Sequence, residues 1–505
     1  MLARLSQNCL HALTGGYQTT SLAFSKGVQH FHGTSPQLCP GLSQSKTLRF
    51  GIVGSGPAGF YTANLLLKKF GEQVHVDIID RLPTPFGLVR SGVAPDHQDT
   101  KNVINQFTRL SQDARVSFLG NVTVGADISL ASLRQHYNGV VLAYGAESDR
   151  KLSIPGEGLQ NSFSAREFVW WYNGHTDYAK LPIDLSKCQE VTIFGLGNVA
   201  LDCARVLLRD EAVLGRTDIA RHAQNALRRS AVKRVDIIGR RGPVQAAFTA
   251  KELREITKLP GVQVHIPQEA MQLTEADRAE MKASRIKKRV YDILKTACEA
   301  PASGVAQRHL HMHFLRTPLE LLPRSPECPS VGSVRLEVNQ LQQRQDGSQA
   351  AVGTGAHETL PAGMVLSSIG YRTEAIEGLA FDSRRGVVMH REGRVLQENG
   401  EDAETGLYVV GWAKRGPTGI IGTNLVDAEE TTECIVDDAR QGRLTATQST
   451  TEAFRQELAR HGTQVVDFQG WQSIDAAEVA AGQGASKPRE KFVDTQDMIR
   501  LGAGM

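Results

Sequence analysis

Two glycine-rich segments of this chain have the residue types and the spacing that bind the pyrophosphate of a dinucleotide. Residues 54–59 read Gly-Ser-Gly-Pro-Ala-Gly, and residues 195–200 read Gly-Leu-Gly-Asn-Val-Ala. In such a turn the first glycine permits a sharp bend, the second lets a pyrophosphate approach the backbone, and the third small residue lets a helix pack on a strand. The N-terminus of that helix presents free N–H groups to the phosphates. The sequence therefore predicts two nucleotide sites, at a first and a second glycine turn.

The residues that follow the two turns predict different nucleotides. Asp80 ends an apolar stretch roughly 20 residues after the first turn, where an acid accepts hydrogen bonds from a free ribose. Arg240 and Arg241 follow the strand after the second turn, and two guanidiniums suit a 2′-phosphate, which an acid would repel. A solvated surface turn is the alternative for this arginine pair. Two such sites predict a flavin, FAD, that takes electrons from NADP(H).

A third glycine-rich segment, residues 411–423, reads Gly-Trp-Ala-Lys-Arg-Gly-Pro-Thr-Gly-Ile-Ile-Gly-Thr. We predict that a strand leads into this turn and that a helix follows it. Backbone N–H groups there could bond the polar edge of a flavin, and Trp412 could pack on the ring. Burial of Trp412 in an ordinary core is the alternative.

The elements that must position these turns are strands and helices in alternation. Residues 48–67 predict strand, turn and helix, and with a strand at 74–80 they form a βαβ unit. Residues 191–207 predict a second strand, turn and helix. Further predicted strands are 116–124, 139–144, 234–239, 363–370 and 406–411, and further predicted helices are 101–112, 249–258, 274–298 and 452–461, with a mostly helical insert at 208–230. Residues 84–95, 300–309, 323–333 and 343–360 are predicted loops.

The predicted fold class is α/β, with two Rossmann-like dinucleotide-binding domains and the NADP domain inserted in the FAD domain. A chain of 505 residues is too long for one core. We expect the strands at 363–370 and 406–411 to return to the first domain. The predicted segments are a leader at 1–46, an N-terminal FAD-domain segment at 47–147, the NADP domain at 148–362, and a C-terminal FAD-domain segment with a tail at 363–505.

The first 46 residues have the composition of a mitochondrial transit peptide. They are rich in Ser and Thr, they contain Arg4, Lys26 and Lys46, and the first acidic residue of the chain is Glu72. A disordered tail is the alternative. The net charge of +3 falls to about 0 without this leader, so nucleic acid is not an expected partner. No apolar run reaches the length of a membrane span, so any association with the inner membrane is expected to be peripheral.

The seven cysteines contain no Cys-x-x-Cys pair, and the sequence predicts no metal site. A flavin disulfide reductase needs a redox pair of cysteines, which argues against that alternative. An electron-feeding subunit such as that of glutamate synthase brings cysteine-rich cluster ligands, which are also missing. A non-catalytic sensor that binds flavin or nucleotide remains open, as does another FAD- and NADPH-dependent reductase.

From about Leu48 to its end, the chain resembles the mitochondrial NADPH:adrenodoxin (ferredoxin) oxidoreductase family, which has bacterial relatives. The most specific matches are Pro-Phe-Gly-Leu-Val-Arg at 85–90 and Lys-Arg-Gly-Pro-Thr-Gly at 414–419. The other segments that carry the resemblance are 53–61, 92–97, 101–105, 154–157, 197–202, 239–243, 251–254, 368–371, 411–412 and 487–491. Leu196 departs from the glutamine common in vertebrate members, and Gly-Thr-Asn-Leu after Ile421 resembles the bacterial branch.

The resemblance implies the residues that hold each cofactor. FAD would meet Gly54, Gly56, Ala58, Gly59, Asp80, Leu88, Val124, Trp412, Gly419, Ile420 and Ile421. NADP would meet Gly195, Leu196, Gly197, Asn198, Val199, Arg240, Arg241, Glu252 and Gly419. No residue is a certain catalytic residue. His97 and Asp96 are candidates near the flavin for supplying protons or holding water, and a structural histidine is an equal alternative.

The reaction that the resemblance implies passes electrons from NADPH through FAD, one at a time, to a mitochondrial [2Fe-2S] ferredoxin (adrenodoxin). Such electrons supply steroid hydroxylation and iron–sulfur cluster assembly, and the expected location is the mitochondrial matrix. Ferredoxins are acidic, and basic residues cluster in this chain at Arg221, Arg228, Arg229, Lys233, Arg234, Arg240, Arg241, Lys251, Arg254, Arg285, Lys287, Lys288 and Arg289. We predict partner contacts at Arg240, Arg241, Lys251 and Arg254. A solvated helix face without a partner is the alternative, and a monomer is expected.

Overall fold

The computed structural model describes residues 47–301, 306–345 and 348–503, so the predicted leader at 1–46 lies outside them. Two sheets of parallel strands dominate the described residues. This agrees with the α/β class and with two Rossmann-like units. Among the described residues, we find no helix with the length and apolar character that a bilayer span requires.

The first sheet contains seven strands and carries the first glycine turn. Five of the strands are parallel, with the one that precedes the turn, Leu48–Val53, between Gly139–Leu142 and Val74–Ile79. In spatial order the strands are His390–Arg391, Arg394–Leu396, Ala403–Val409, Gly139–Leu142, Leu48–Val53, Val74–Ile79 and Val116–Leu119. Apolar residues of this sheet pack against the helices Pro57–Phe70 and Thr423–Arg440. The predicted return of the strand near 406–411 to the first sheet is confirmed.

The second sheet contains six parallel strands and carries the second glycine turn. In spatial order they are Ser162–Ser164, Met364–Ser367, Glu190–Phe194, Arg234–Ile238, Arg308–His313 and Val262–His265. The prediction that the strand near 363–370 joins the first domain was wrong, because Met364–Ser367 pairs on both sides within the second sheet. This strand is short and almost entirely buried, so its apolar pattern suits either parallel sheet.

A third sheet, which the sequence did not predict, is antiparallel. Its strands are Arg316–Ser325, Cys328–Gln343 and Gln349–Pro361, in regions where loops were predicted at 323–333 and 343–360. The outer strand Gln349–Pro361 is exposed at most positions and lacks the alternation of a half-buried strand. Its pairing is therefore set by distant residues rather than by its own composition.

The helices differ from prediction in three regions. The predicted helix at 274–298 is two helices, because Ser284 caps the second one. The insert at 208–230 contains two short helices, and the described residues of the C-terminal tail form three helices where one was predicted. The remaining helices are Leu88–Ser91, Gln98–Lys101, Ile104–Ser111, Leu130–Gln135, Ala165–Asn173, Asn198–Leu208, Glu211–Leu214, Arg221–Arg228, Ala250–Thr257, Glu275–Ala283, Arg285–Cys298, Trp412–Arg415, Thr451–Arg460, Phe468–Gln483 and Thr495–Gly502.

The chain crosses twice between the two parallel sheets, and each crossing segment contains one short strand. Ser148–Asp149 leads from the first sheet to the second, and Tyr371–Arg372 leads back. They pair antiparallel, with Tyr371 opposite Asp149 and Arg372 opposite Ser148. The outgoing and returning segments are therefore fixed to each other.

Candidate nucleotide-binding site

The first glycine turn leaves no room for side chains at its first and third glycines. Gly54 has φ of 110°, and a Cβ there would lie 2.4 Å from the carbonyl oxygen of Ala143. A Cβ at Gly59 would lie 2.1 Å from the carbonyl oxygen of Gly54. Any side chain at these two positions would collide with backbone atoms, so the tight turn requires both glycines.

Gly56 differs because it faces open space. A Cβ built there meets no atom within 4 Å. Gly56 is the N-cap of helix Pro57–Phe70, which has no side-chain cap and carries proline in its first turn. The free N–H groups and the positive end of the helix dipole therefore point to a space that an anionic pyrophosphate can occupy.

Asp80 is held in place beside this turn. Its Oδ2 accepts hydrogen bonds from the Ser55 backbone N–H at 2.8 Å and from the Ser55 hydroxyl at 2.5 Å. Its Oδ1 accepts from the Leu82 backbone N–H at 2.9 Å. A carboxylate accepts about four hydrogen bonds, so one position remains for a ribose hydroxyl. Ser55 was missed in the sequence analysis, although it lies inside the glycine turn.

The loop that contains Leu88 lies against the first turn. The Phe86 backbone N–H donates to the Ser55 carbonyl at 3.0 Å. Gly87, with φ of 46°, comes so close that a Cβ there would lie 3.1 Å from the Gly56 Cα. The predicted contact residue Leu88 follows immediately, and it is partly buried against the core of the second unit.

The third segment also reaches the first turn. Gly411 has φ of 73°, and a Cβ there would lie 2.7 Å from the Ala58 Cβ. Trp412 is half-buried, with its ring centroid 5.5 Å from that of Tyr371. Val124 packs on the apolar cluster that includes Ala413. The structure therefore places the start of the third segment, Gly411 and Trp412, against the first turn at Ala58.

The residues at the end of the third segment are open. Gly419 is exposed with φ of 85°, Ile420 is 66 % exposed, and Ile421 is partly buried. They lead into helix Thr423–Arg440, whose N-cap Gly422 makes no side-chain capping bond. Lys414 pairs with Asp427 at 2.8 Å and with Glu430 at 2.8 Å, which ties the segment to this helix.

The second glycine turn repeats the design of the first. Gly195 has φ of 132°, and a Cβ there would lie 2.1 Å from the Ser368 carbonyl oxygen. Gly197 has nothing within 4 Å of an added Cβ and caps helix Asn198–Leu208, which again has no side-chain cap. Leu196 covers Gly239, while Val199 is partly buried against the core of this unit. Asn198 Oδ1 accepts from the Thr249 backbone N–H at 2.8 Å.

Arg240 and Arg241 are fixed by their backbones while their side chains are exposed. Asn339 of the antiparallel sheet donates from Nδ2 to the Arg240 carbonyl at 3.0 Å, and the Leu315 N–H donates to the Arg241 carbonyl at 3.2 Å. Within the described ranges, we find no acidic side chain paired with either guanidinium. Both are thus available to an anionic ligand. Asn339 was not predicted as a site residue because the antiparallel sheet that contains it was not predicted.

Asp96, His97 and Glu252 meet in a charged cluster around Arg205, which we call the Arg205 cluster. Arg205 is fully buried and bonds both oxygens of Asp96, at 2.8 and 3.0 Å. The other contacts within this cluster are Arg205–Asp202 at 2.8 Å, Arg205–Glu252 at 3.4 Å, Arg209–Glu255 at 2.7 Å, His97 Nε2–Glu255 at 2.8 Å and His97 Nε2–Glu252 at 3.6 Å. The cluster joins the loop before residue 98 to two helices of the second unit.

The acids of the Arg205 cluster differ in their affinity for protons. Burial, which Arg205 only partly offsets, raises the pKa of Asp202 to about 6. Burial opposes the ionisation of Asp96 too, but the hydrogen bonds and charge of Arg205 outweigh it and hold the pKa of Asp96 below its usual value. Asp96 therefore stays ionised near neutral pH, whereas Asp202 is close to its titration range. Asp202, Arg205 and Glu255 were missed because they lie far along the chain from residues 96–97.

Some of the clustered basic residues form ion pairs within this chain, and others do not. Arg221, Arg228, Arg234, Lys287 and Lys288 pair with carboxylates of this chain. Lys251 is exposed and Arg254 half-buried, both on helix Ala250–Thr257, and neither has an ion pair within the described ranges. The four residues predicted to contact the partner, Arg240, Arg241, Lys251 and Arg254, are thus free of ion pairs within the described ranges. The same holds for the exposed residues Arg229, Lys233, Arg285 and Arg289.

Comparisons with known proteins agree with this arrangement. Residues 48–298 match the family described as pyridine nucleotide-disulphide oxidoreductase. Mitochondrial NADPH:adrenodoxin oxidoreductase of Arabidopsis thaliana is 50% identical over 467 residues, which cover 91% of this chain and 96% of the relative. The human protein of the same name is 45% identical over 480 residues, covering 93% of this chain and 95% of the relative.

A bacterial relative has a known structure. NADPH-ferredoxin reductase FprA of Mycobacterium tuberculosis is 41% identical over 464 residues, covering 90% of this chain and 98% of the relative. The structure of FprA in complex with NADPH superposes with a TM-score of 0.84 at 39% identity, covering 90% of this chain and all of that one. The similarity therefore includes both nucleotide units.

Proposed function

Because the chain belongs to the NADPH:adrenodoxin oxidoreductase family, we propose that it is an FAD-containing reductase. It takes electrons from NADPH and passes them, one at a time, to an acidic [2Fe-2S] ferredoxin of the adrenodoxin type. The observation that carries the proposal is the pair of glycine turns, one followed by a carboxylate and the other by two unpaired arginines. This combination suits one nucleotide with a free ribose and one with a 2′-phosphate.

The first turn fits FAD. Gly56 has open space on its free side, and the helix that begins there has uncapped N–H groups for the pyrophosphate. Asp80 keeps one acceptor position for the ribose. We assign the flavin contacts to Leu88, Val124, Trp412 and the backbone from Gly419 to Ile421, in addition to Gly54, Gly56, Ala58 and Gly59.

The second turn fits NADP. Gly197 has the same open space as Gly56, and Arg240 and Arg241 supply several donors to a phosphate. We assign the nicotinamide nucleotide to residues 195–199, the arginine pair, Glu252 and Gly419. When bound, FAD accepts an electron pair from NADPH and releases the electrons singly.

The Arg205 cluster fixes the loop before residue 98 to the second unit, and its acidic and imidazole side chains can hold a proton. Arg205 anchors Asp96 so firmly that this carboxylate positions the loop rather than donating protons. His97 contacts Glu255 and Glu252, and Asp202 has a pKa of about 6. We propose that His97 and Asp202 hold the proton that accompanies electron uptake, with Glu255 as the carboxylate nearest to His97 and Glu252 as the next.

The partner and location follow from charge and composition. We propose that the ferredoxin binds at Arg240, Arg241, Lys251 and Arg254, where positive charge is free to steer an acidic surface.

We propose a monomer in the mitochondrial matrix, targeted by residues 1–46 and at most peripheral to the inner membrane, that serves steroid hydroxylation and iron–sulfur assembly. We propose domains at 47–147, 148–367 and 368–505; the boundary predicted at 362 moves to Ser367 because the last strand of the middle domain pairs there.

Anaerobic stopped-flow spectroscopy tests the proposal. We expect NADPH to bleach the flavin absorbance much faster than NADH does, and the reduced protein to reduce a mitochondrial [2Fe-2S] ferredoxin. Equal rates with the two nucleotides would contradict the role of the arginine pair. Absence of bleaching would favour the non-catalytic nucleotide sensor, and bleaching without transfer to ferredoxin would favour a different reductase.

A further inference from the structure

One face of the second sheet carries a group of imidazole and carboxylate side chains that the electron-transfer function does not use. His309, His311 and His313 alternate along strand Arg308–His313 with two buried apolar residues, so the three histidines lie on the same face. The register places Asp236 of one neighbouring strand beside His311, and His265 of the other neighbouring strand on its opposite side.

Three of these side chains converge as metal ligands do. His313 Nε2 lies 2.8 Å from Asp236 Oδ1. One ligand atom from each of Asp236, His311 and His313 lies within 4.8 Å of the other two. Ligands bound tetrahedrally to zinc are roughly 3.4 Å apart, since each bond is about 2.1 Å long. The three atoms therefore need only small rotations to share one ion.

The carboxylate of this group is oriented by a second residue. Arg234 Nε donates to Asp236 Oδ2 at 2.7 Å, and the Asp236 side chain is fully buried. Oδ1 is consequently the oxygen that faces the histidines. Hydrogen bonds of this kind commonly fix the orientation of metal-binding side chains.

A cavity beside these side chains gives an ion access to them. The cavity has a volume of about 340 Å³ and is lined by His265, His311 and His313 together with Cys298. His265 stacks on His311 with ring centroids 4.3 Å apart, which limits rotation of the His311 ring. A ligand position on the cavity side remains accessible to water.

We propose that Asp236, His311 and His313 bind one divalent transition-metal ion of the zinc class, with water in the fourth position facing the cavity. Two imidazoles and one carboxylate suit such an ion, whereas Mg²⁺ and Ca²⁺ prefer oxygen ligands alone. The sequence predicted no metal site because its cysteines form no ligand pair. The pattern His-x-His-x-His on a strand was the overlooked signal.

Zinc titration of the FAD-loaded protein tests the site. After chelator treatment and dialysis, calorimetry should show one Zn²⁺ bound per chain, and Co²⁺ should give the visible absorption bands of a low-coordinate site. His311→Gln should weaken binding at least about tenfold and remove the Co²⁺ bands. His75→Gln is the matched control, since His75 is an exposed histidine on a strand of the first sheet.

A second variant guards against loss of the fold. Asp236→Asn keeps the size of the side chain and should also weaken Zn²⁺ binding, while flavin content per chain reports that the protein is folded. Zn²⁺ should raise the unfolding temperature of the unsubstituted chain but not that of His311→Gln. Sub-stoichiometric binding to the unsubstituted chain, equal binding by His311→Gln, or loss of binding in His75→Gln would each overturn the proposal.

Discussion

The two glycine turns share one backbone design but hold their discriminating residues in opposite ways. Asp80, beside the first turn, accepts three hydrogen bonds from Ser55 and Leu82 before any ligand binds. Arg240 and Arg241, beside the second, are held only through their carbonyl groups. The first site is therefore preorganised, as suits a nucleotide that stays bound, and the second keeps its charges solvated, as suits one that is exchanged.

The junction between the two units gives the largest expected effect. Arg205→Met would remove both short hydrogen bonds to the buried carboxylate of Asp96 and leave it only the 3.3 Å contact with Arg209 Nε. Breaking a buried ion pair in this way costs about 3–5 kcal/mol in the free energy of unfolding. Thermal and denaturant unfolding of the FAD-loaded protein would measure it. Arg500→Met is the control, because the Arg500–Asp497 pair is exposed and its loss should cost close to nothing. Equal stabilities of the two variants would mean that the Arg205 cluster does not fasten the units.

The next largest effect is expected on NADPH binding, at the arginine pair beside the second glycine turn. Replacing both Arg240 and Arg241 by Ala should raise the KM for NADPH about 100-fold, since each charge-assisted hydrogen bond is worth roughly 1.5 kcal/mol or more. The KM for NADH and the flavin content should change little. Steady-state kinetics with both nucleotides provide the measurement.

Asp80→Asn is the counterpart of this variant in the first unit. It should lower FAD retention on dialysis while leaving the ratio of NADPH to NADH efficiency unchanged. A change of nucleotide preference in Asp80→Asn, or loss of flavin from the arginine variant, would contradict the assignment of FAD to the first unit and NADP to the second.

A smaller effect depends on pH. The pKa of Asp202 is about 6 in the folded chain, above the ordinary value of 3.8, so the folded state binds this proton more tightly than the unfolded state does. The resulting stabilisation is complete below the ordinary pKa and is lost as the pH rises through about 6. Asp202→Asn removes this dependence.

Denaturant unfolding at several pH values measures the Asp202 effect. Between pH 4 and pH 7 the free energy of unfolding of Asp202→Asn should improve relative to the unsubstituted chain by roughly 2 kcal/mol. Glu452→Gln, on an exposed helix start, should show no such trend. Parallel pH profiles for the unsubstituted chain and Asp202→Asn would show that this acid is not buried as described.

The features of the two units that the sequence predicted are local, and those that it did not predict depend on contacts between distant residues. Both glycine turns, Asp80 and the arginine pair occupy a contiguous strand, turn and helix, where composition and spacing carry the signal. Arg205 and Asp96 lie 109 positions apart, so only the folded chain brings them together. The strand Gln349–Pro361 escaped detection because most of its side chains are exposed. Long-range pairing leaves little trace in a local pattern.

The smallest expected effect tests whether the antiparallel sheet supports the arginine pair. Asn339 is buried, and its amide donates to the Arg240 carbonyl and to the Thr317 hydroxyl. Asn339→Ala would free the backbone of Arg240 while leaving both guanidiniums present. We expect the KM for NADPH to rise about fivefold, as one hydrogen bond contributes about 1 kcal/mol. Ser330→Ala is the control, since its hydroxyl bonds the Gln160 side chain near the start of the same strand, away from Asn339. A fivefold change in Asn339→Ala alone would mean that the NADP site borrows rigidity from outside its own glycine turn, whereas Asp80 receives its support from within.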